Sequence, residues 1–159
     1  MKLHLGCGNI RIEGFINIDI RYLPLVDQVS NVKFLRYYEI NSVDLIYASH
    51  ILEHFSRWEY MTVLKRWYEI LKIGGILRLS VPGFENICNY YLKEKNIEKL
   101  HGLLYGGQDY QENFHYCVWD FKLLKDKLEE IGFKKVRKYD WRETEHKDID
   151  DCSKAYLPH

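Results

Sequence analysis

The chain opens on Lys2-Leu3-His4-Leu5-Gly6-Cys7-Gly8-Asn9, a short apolar run that stops in a Gly-x-Gly turn. A buried parallel strand hands over in this way to a loop whose backbone must come close to something. Glycines admit conformations that other residues resist. About a dozen residues on, Phe15-Ile16-Asn17-Ile18-Asp19 repeats the design and ends in a carboxylate. A glycine turn after one strand and an acid at the tip of the next is how doubly wound folds hold a nucleoside. The backbone approaches at the glycines, and the acid accepts hydrogen bonds from ribose hydroxyls. Without that context the same residues are a tight turn and a surface Asp.

Outward from this opening, strands and helices alternate. Strands are expected over residues 3–7, at Phe15–Ile20, within Val26–Leu35, and at Val43–Ser49, Ile76–Val81 and Phe133–Tyr139. Asn9–Gly14 leaves room for one helical turn at most. Trp58–Lys72 places Trp58, Met61, Leu64, Trp67 or Tyr68, and Leu71 at helical spacing, with Gly74-Gly75 as its stop. Phe84 to about Leu104 reads as helix in two pieces. An irregular loop then runs from Gly106-Gly107 to Trp119, and Asp120 is placed to cap a helix that ends at Ile131-Gly132. The alternation predicts an α/β, doubly wound, mostly parallel sheet with helices on both faces. Its ligand crevice would lie outside the carboxyl ends of the strands, where strand order reverses. The glycine turn, Asp19 and Ser49-His50 all follow such ends.

The 159 residues suit one domain with a sizeable core, expected over 1–140 with a charged tail at 141–159. Apolar residues make up 47% and aromatics 15%, which excludes a disordered chain. Lys plus Arg equals Asp plus Glu, 23 against 23, so no global field draws in nucleic acid or an anionic membrane. The first strand starts at once, so no signal peptide is expected, and no apolar run is long enough to cross a bilayer. Cys7, Cys88, Cys117 and Cys152 form no Cys-x-x-Cys pair, so no zinc site or redox motif is indicated. They read as free thiols in a cytoplasmic protein, with Cys7 a small residue filling a tight spot rather than a nucleophile.

Leu3-His4-Leu5-Gly6-Cys7-Gly8 followed by Gly14-Phe15-Ile16-Asn17-Ile18-Asp19 resembles the class I, Rossmann-like, S-adenosylmethionine-dependent methyltransferases. The segment Ser42–His54 is similar to the fourth-strand region of their small bacterial-type members, and Glu69–Leu77 to their helix-to-fifth-strand turn. The resemblance covers roughly residues 2–83 and implies S-adenosylmethionine as cofactor. By its pattern Gly6, Cys7 and Gly8 would lie against the methionine part, Asp19 on the ribose hydroxyls and Ile20 beside the adenine. Asn31 would stand where the family often has an Asp facing the adenine amino group, and Ser49 and His50 would border the methyl group. Two departures stand out. His4 occupies a position where the family often has an acid. No seventh strand follows Phe133–Tyr139, since Tyr156-Leu157-Pro158 is short and contains proline. A chain cut short after His159 is expected, with an open sheet edge that invites a homodimer.

Methyl transfer from a sulfonium is an in-line displacement, so most of the work is placing the acceptor. A hydroxyl acceptor benefits from a general base, for which His50, His54 and His115 are the candidates. His50 and His54, just after a strand end, could instead simply cap a helix or satisfy backbone groups, and Glu53 reads as a surface partner of Arg57. The loop over 105–119 reads as a substrate lid, in which Tyr105, Tyr110, Phe114, Tyr116 and Trp119 either stack on a flat or sugar-like substrate or form a satellite core. The expected activity is methyl transfer to a small molecule, with a sugar or glycan precursor as the class. One alternative is a non-catalytic cofactor-binding or assembly module of the same fold. The other, an NAD-dependent oxidoreductase, requires a third glycine and a helix after Gly8, where the sequence has Asn9-Ile10-Arg11.

Overall fold

The computed structural model describes residues 1–151, 153 and 154. Five strands form one sheet: β1 (Lys2–Leu5), β2 (Ile16–Asp19), β3 (Gln28–Val29), β4 (Val43–Ser49) and β5 (Leu71–Ser80). Their order is β3-β2-β1-β4-β5, and every pair is parallel. The chain winds outward from β1 through β2 to β3, then crosses back to β4 and β5. Strand order therefore reverses between β1 and β4, and the carboxyl ends Leu5-Gly6 and Ser49-His50 flank the reversal. The α/β doubly wound sheet expected from sequence is what the chain builds.

Helices α1 (Tyr60–Ile70), α2 (Phe84–Glu94), α3 (His101–Tyr105) and α4 (Phe121–Ile131) complete the regular structure. Leu3 and Leu5 of β1 alternate with His4, as the period of two along a strand requires. The leucines join Ile18, Ile46, Ala48, Leu64, Trp67 and Leu128 in the main core. Trp67 is fully buried, and its indole N–H donates to the Val32 carbonyl at 2.9 Å, so α1 brings no unpaired polar group inside. On the opposite side of the sheet, Leu45 and Tyr47 pack with Ile12 and Phe15, and Ile149 of the C-terminal segment closes over them. His4 is buried there, bonded through Nδ1 to Asn17 Oδ1 at 3.0 Å and stacked on Tyr47. It points away from the crevice, so the residue at the position of the family's acid serves packing in this chain.

Several expectations are corrected. Phe133–Tyr139 is not a strand: it has no ladder neighbour among the described residues, and a groove of about 850 Å³ separates it from β5. Phe133 and Val136 instead pack as side chains on the main core. Gly74-Gly75 does not stop α1, which ends at Ile70 because Leu71 is buried and already pairs with Val43. The register then jumps, with Leu45 opposite Ile76, so residues 72–75 bulge out of β5 and Gly74 takes φ +81° at the turn. Trp58 precedes α1 and is 78% exposed, so it is not part of the apolar stripe that Leu64 and Trp67 form with Val63 and Ile70. The tail is partly internal, since Thr144, His146 and Asp151 are buried. Tyr156-Leu157-Pro158 and Cys152 lie outside the described residues.

Candidate active site

The site is built around the turn after β1. Gly6 adopts φ +64° and Gly8 φ +55°, the left-handed region in which a side chain is costly. At Gly6 a Cβ would also stand 1.7 Å from Ile51 Cδ1, so any side chain there must push the Ile51 side chain aside. Asp19, at the end of β2, is buried and reaches across to this turn. Its Oδ2 accepts the Gly8 N–H at 2.8 Å, and its Oδ1 accepts the Arg21 backbone N–H at 2.9 Å and the Arg21 Nε–H at 3.1 Å. Burial opposes ionisation of Asp19, but the bonds from Arg21 and Gly8 outweigh it and hold its carboxyl below the usual range. The acid thus fastens the glycine turn to the tip of the neighbouring strand and places negative charge beside it.

A cleft of about 630 Å³ opens over this junction. Gly6, Cys7, Gly8, Asp19, Ile20, Asn31, Ser49, His50, His54 and His115 all line it, so the tertiary structure gathers every site residue expected from sequence. Burial, followed by the nearby Asp19 charge, pushes the Cys7 thiol up to about 12, as suits a packed residue rather than a nucleophile. Asn31 Oδ1 accepts the Lys33 N–H at 2.9 Å in a local turn. Ser49 Oγ donates to the Asp151 carbonyl at 2.8 Å, so the C-terminal segment reaches the end of β4.

The loop over 106–118 forms one wall. Tyr110 and Tyr116 line the cleft, and the Arg21 guanidinium lies 4.4 Å from the Tyr110 ring centroid, joining that wall to the Asp19 side. Trp119 is buried against Tyr60, so the two readings of the aromatic run divide by residue: Trp119 is core and Tyr116 faces the cleft.

His50 carries φ +53°, an uncommon conformation for a residue with a side chain. Its Nδ1 lies 3.1 Å from Glu53 Oε1. Glu53 is 1% exposed and is not the surface partner of Arg57, whose guanidinium stacks on Trp58 instead. Leu52–His54 is a single 3-10 turn, so Glu53 and Arg57 do not share a helix flank. His54 and His115 meet edge to face, with ring centroids 4.7 Å apart. Their Nδ1 atoms lie 3.1 Å from the Phe114 carbonyl and 2.9 Å from the Leu103 carbonyl. A carbonyl only accepts, so Nδ1 carries a proton in both rings, and in the neutral ring Nε2 keeps its lone pair. Burial lowers the His115 pKa, which favours the neutral ring. Sequence reasoning missed Arg21, Glu53, Asp151 and the role of Tyr110. Only Glu53, framed by His50 and His54, carried a local signal.

No family profile matches the chain, and no curated protein matches it either. Solved structures do. A methyltransferase dependent on S-adenosylmethionine from Archaeoglobus fulgidus superposes with a TM-score of 0.58 at 18% identity, over 86% of this chain and 62% of that one. One from Thermotoga maritima gives 0.55 at 18% identity, over 84% and 64%. The CurJ carbon methyltransferase gives 0.55 at 16% identity, over 87% and 43%. The chain thus spans less than two thirds of the length of each. With β3-β2-β1-β4-β5 parallel and the reversal beside the glycine turn, its fold is that of the class I, Rossmann-like, S-adenosylmethionine-dependent methyltransferases.

Proposed function

We propose that the protein binds S-adenosylmethionine in the cleft over the glycine turn and transfers its methyl group to a small-molecule acceptor. The observation that carries this reading is the meeting of Gly8 and Asp19 at 2.8 Å across the point where strand order reverses. The turn offers close backbone approach for the methionine part, and the Asp19 carboxylate has lone pairs left for ribose hydroxyls. Ile20 and Asn31 would flank the adenine, with Ser49 and His50 at the methyl end. His50, backed by Glu53, is the group placed to take a proton from an acceptor hydroxyl, beside His54 and His115. A sugar or glycan precursor is the acceptor class we favour, because Tyr116 presents an exposed ring to the cleft.

The oxidoreductase reading loses support, since no helix lies between β1 and β2 to receive a pyrophosphate. Calorimetry with S-adenosylmethionine, S-adenosylhomocysteine and NAD tests the choice. Binding of the first two is expected, and binding of NAD alone reverses the proposal. The non-catalytic alternative is separated by turnover with a candidate acceptor.

Among the described residues no strand pairs with the outer edge of β5, and no helix is long and apolar enough to cross a membrane. That edge is where we place pairing with a second copy. A sedimentation mass of one chain at every concentration removes this contact.

A further inference from the structure

We infer that Glu53, His54 and His115 form a binding site for a divalent transition-metal cation at the acceptor end of the cleft. One ligand atom from each lies within 4.8 Å of the other two, close enough for one ion to bind all three after small side-chain movements. Three further observations point the same way. First, Oε2 of the buried Glu53 accepts no hydrogen bond among the described residues. Among those residues the one side-chain contact of Glu53 at ion-pair distance is His50 Nδ1, 3.1 Å from Oε1. A buried carboxylate so sparsely served is stabilised by a cation close by. Second, both imidazoles are held by their Nδ1–H groups on backbone carbonyls, of Phe114 and Leu103. Metal-binding histidines are oriented in this way, with the far nitrogen turned to the ion. Third, His54 and His115 line the cleft while Glu53 is buried beside them, so an ion held there would meet a ligand entering the cleft.

Two imidazole nitrogens and one carboxylate suit Mn²⁺, Fe²⁺, Co²⁺ or Zn²⁺ better than Mg²⁺ or Ca²⁺, which prefer all-oxygen shells. Three protein ligands leave coordination positions open. The site therefore favours an acceptor with two neighbouring oxygens, as in a vicinal diol, bound as a chelate. This part rests on the methyltransferase reading and narrows its acceptor to hydroxyl-bearing compounds. The cation lowers the pKa of the bound hydroxyl, and its proton passes to His50. The oxygen lone pair then forms the O–C bond as the C–S bond breaks. That bonding pair returns to sulfur, and a neutral thioether leaves. His54 and His115 thereby hold the ion and are not general bases.

The test uses the whole chain, stripped with a chelator and titrated with Mn²⁺ while the free-ion paramagnetic resonance signal is followed. One Mn²⁺ per chain is expected, displaced by Zn²⁺. Glu53→Gln and His115→Asn should each weaken binding by at least the roughly 10–100-fold seen on losing an outer-shell partner. Both variants are checked for folding by circular dichroism, and if Glu53→Gln does not fold, His115→Asn decides alone. No uptake of Mn²⁺ or Zn²⁺, or uptake undiminished in the folded variants, overturns the site and leaves Glu53 as the ion-pair partner of His50. Calorimetry with S-adenosylmethionine on the same samples keeps the two ideas apart. Cofactor binding without metal sinks only this site, and metal binding without the cofactor sinks only the methyltransferase reading.

Discussion

Replacing Asp19 with Ala removes the acceptor of three hydrogen bonds, at 2.8, 2.9 and 3.1 Å. The Gly8 and Arg21 backbone N–H groups lose their partner in a part-buried setting, at about 1–3 kcal/mol each. The Arg21 side chain is 37% exposed, so water compensates most of what it loses. Water entering the vacated space offsets part of the backbone cost as well. The net expectation is a loss of about 2–4 kcal/mol of stability, or about 4–16 °C in Tm for a chain of this length. Affinity for S-adenosylmethionine should fall separately by about 1–3 kcal/mol, the scale of lost charge-assisted bonds. Asp19→Asn is nearly as harmful as Asp19→Ala, because its NH₂ faces either the Gly8 N–H or the Arg21 donors. Scanning calorimetry and ligand titration measure both quantities. A Tm unchanged in Asp19→Ala refutes the claim that this carboxylate fastens the turn. An unchanged affinity in a folded variant means the ribose lies elsewhere.

Gly6→Ala should cost about 1–2 kcal/mol from its left-handed φ alone, before the clash with Ile51, and should abolish cofactor binding; urea unfolding and calorimetry report the two effects. Tyr47→Phe removes the hydroxyl that donates to the Asp151 carboxylate, so cleavage within 141–151 by a limiting protease should quicken, read by mass spectrometry. Bonds from the Asn17 amide and side chain, then from Arg11, hold the Asp27 carboxyl down to about 2 against an ordinary 3.8. Since the folded value is the lower one, its contribution to stability is complete above about pH 4 and drains away as pH falls towards 2. Asp27→Asn should flatten acid unfolding in that window, and an identical acid transition in the variant contradicts this.

Much of the central sheet was legible because its signals are local. A short apolar run such as Leu3–Leu5 or Val43–Ser49 buries both faces, and that pattern needs no knowledge of the partner strand. Gly6, Gly8 and Asp19 were legible because a left-handed turn and a charged strand tip each leave a residue-level mark. Helix α4 announced both its ends, with Asp120 accepting the Leu123 N–H at 2.7 Å and Gly132 closing it. What sequence could not decide depended on partners distant in the chain. Phe133–Tyr139 has strand composition but no strand to pair with among the described residues, and strand formation is a property of pairs. Gly74-Gly75 suits a helix stop or a bulge equally well, and the pairing of Leu71 with Val43 chose the bulge.

The candidate site divides along the same line. Residue types and their order determined by themselves that a close-approach turn and an acid would stand at adjacent strand ends. Only the tertiary structure decided that Glu53 turns inward and that His115 comes from the far loop to meet His54. Burial and side-chain encounter are set by packing between segments, and no local periodicity encodes them.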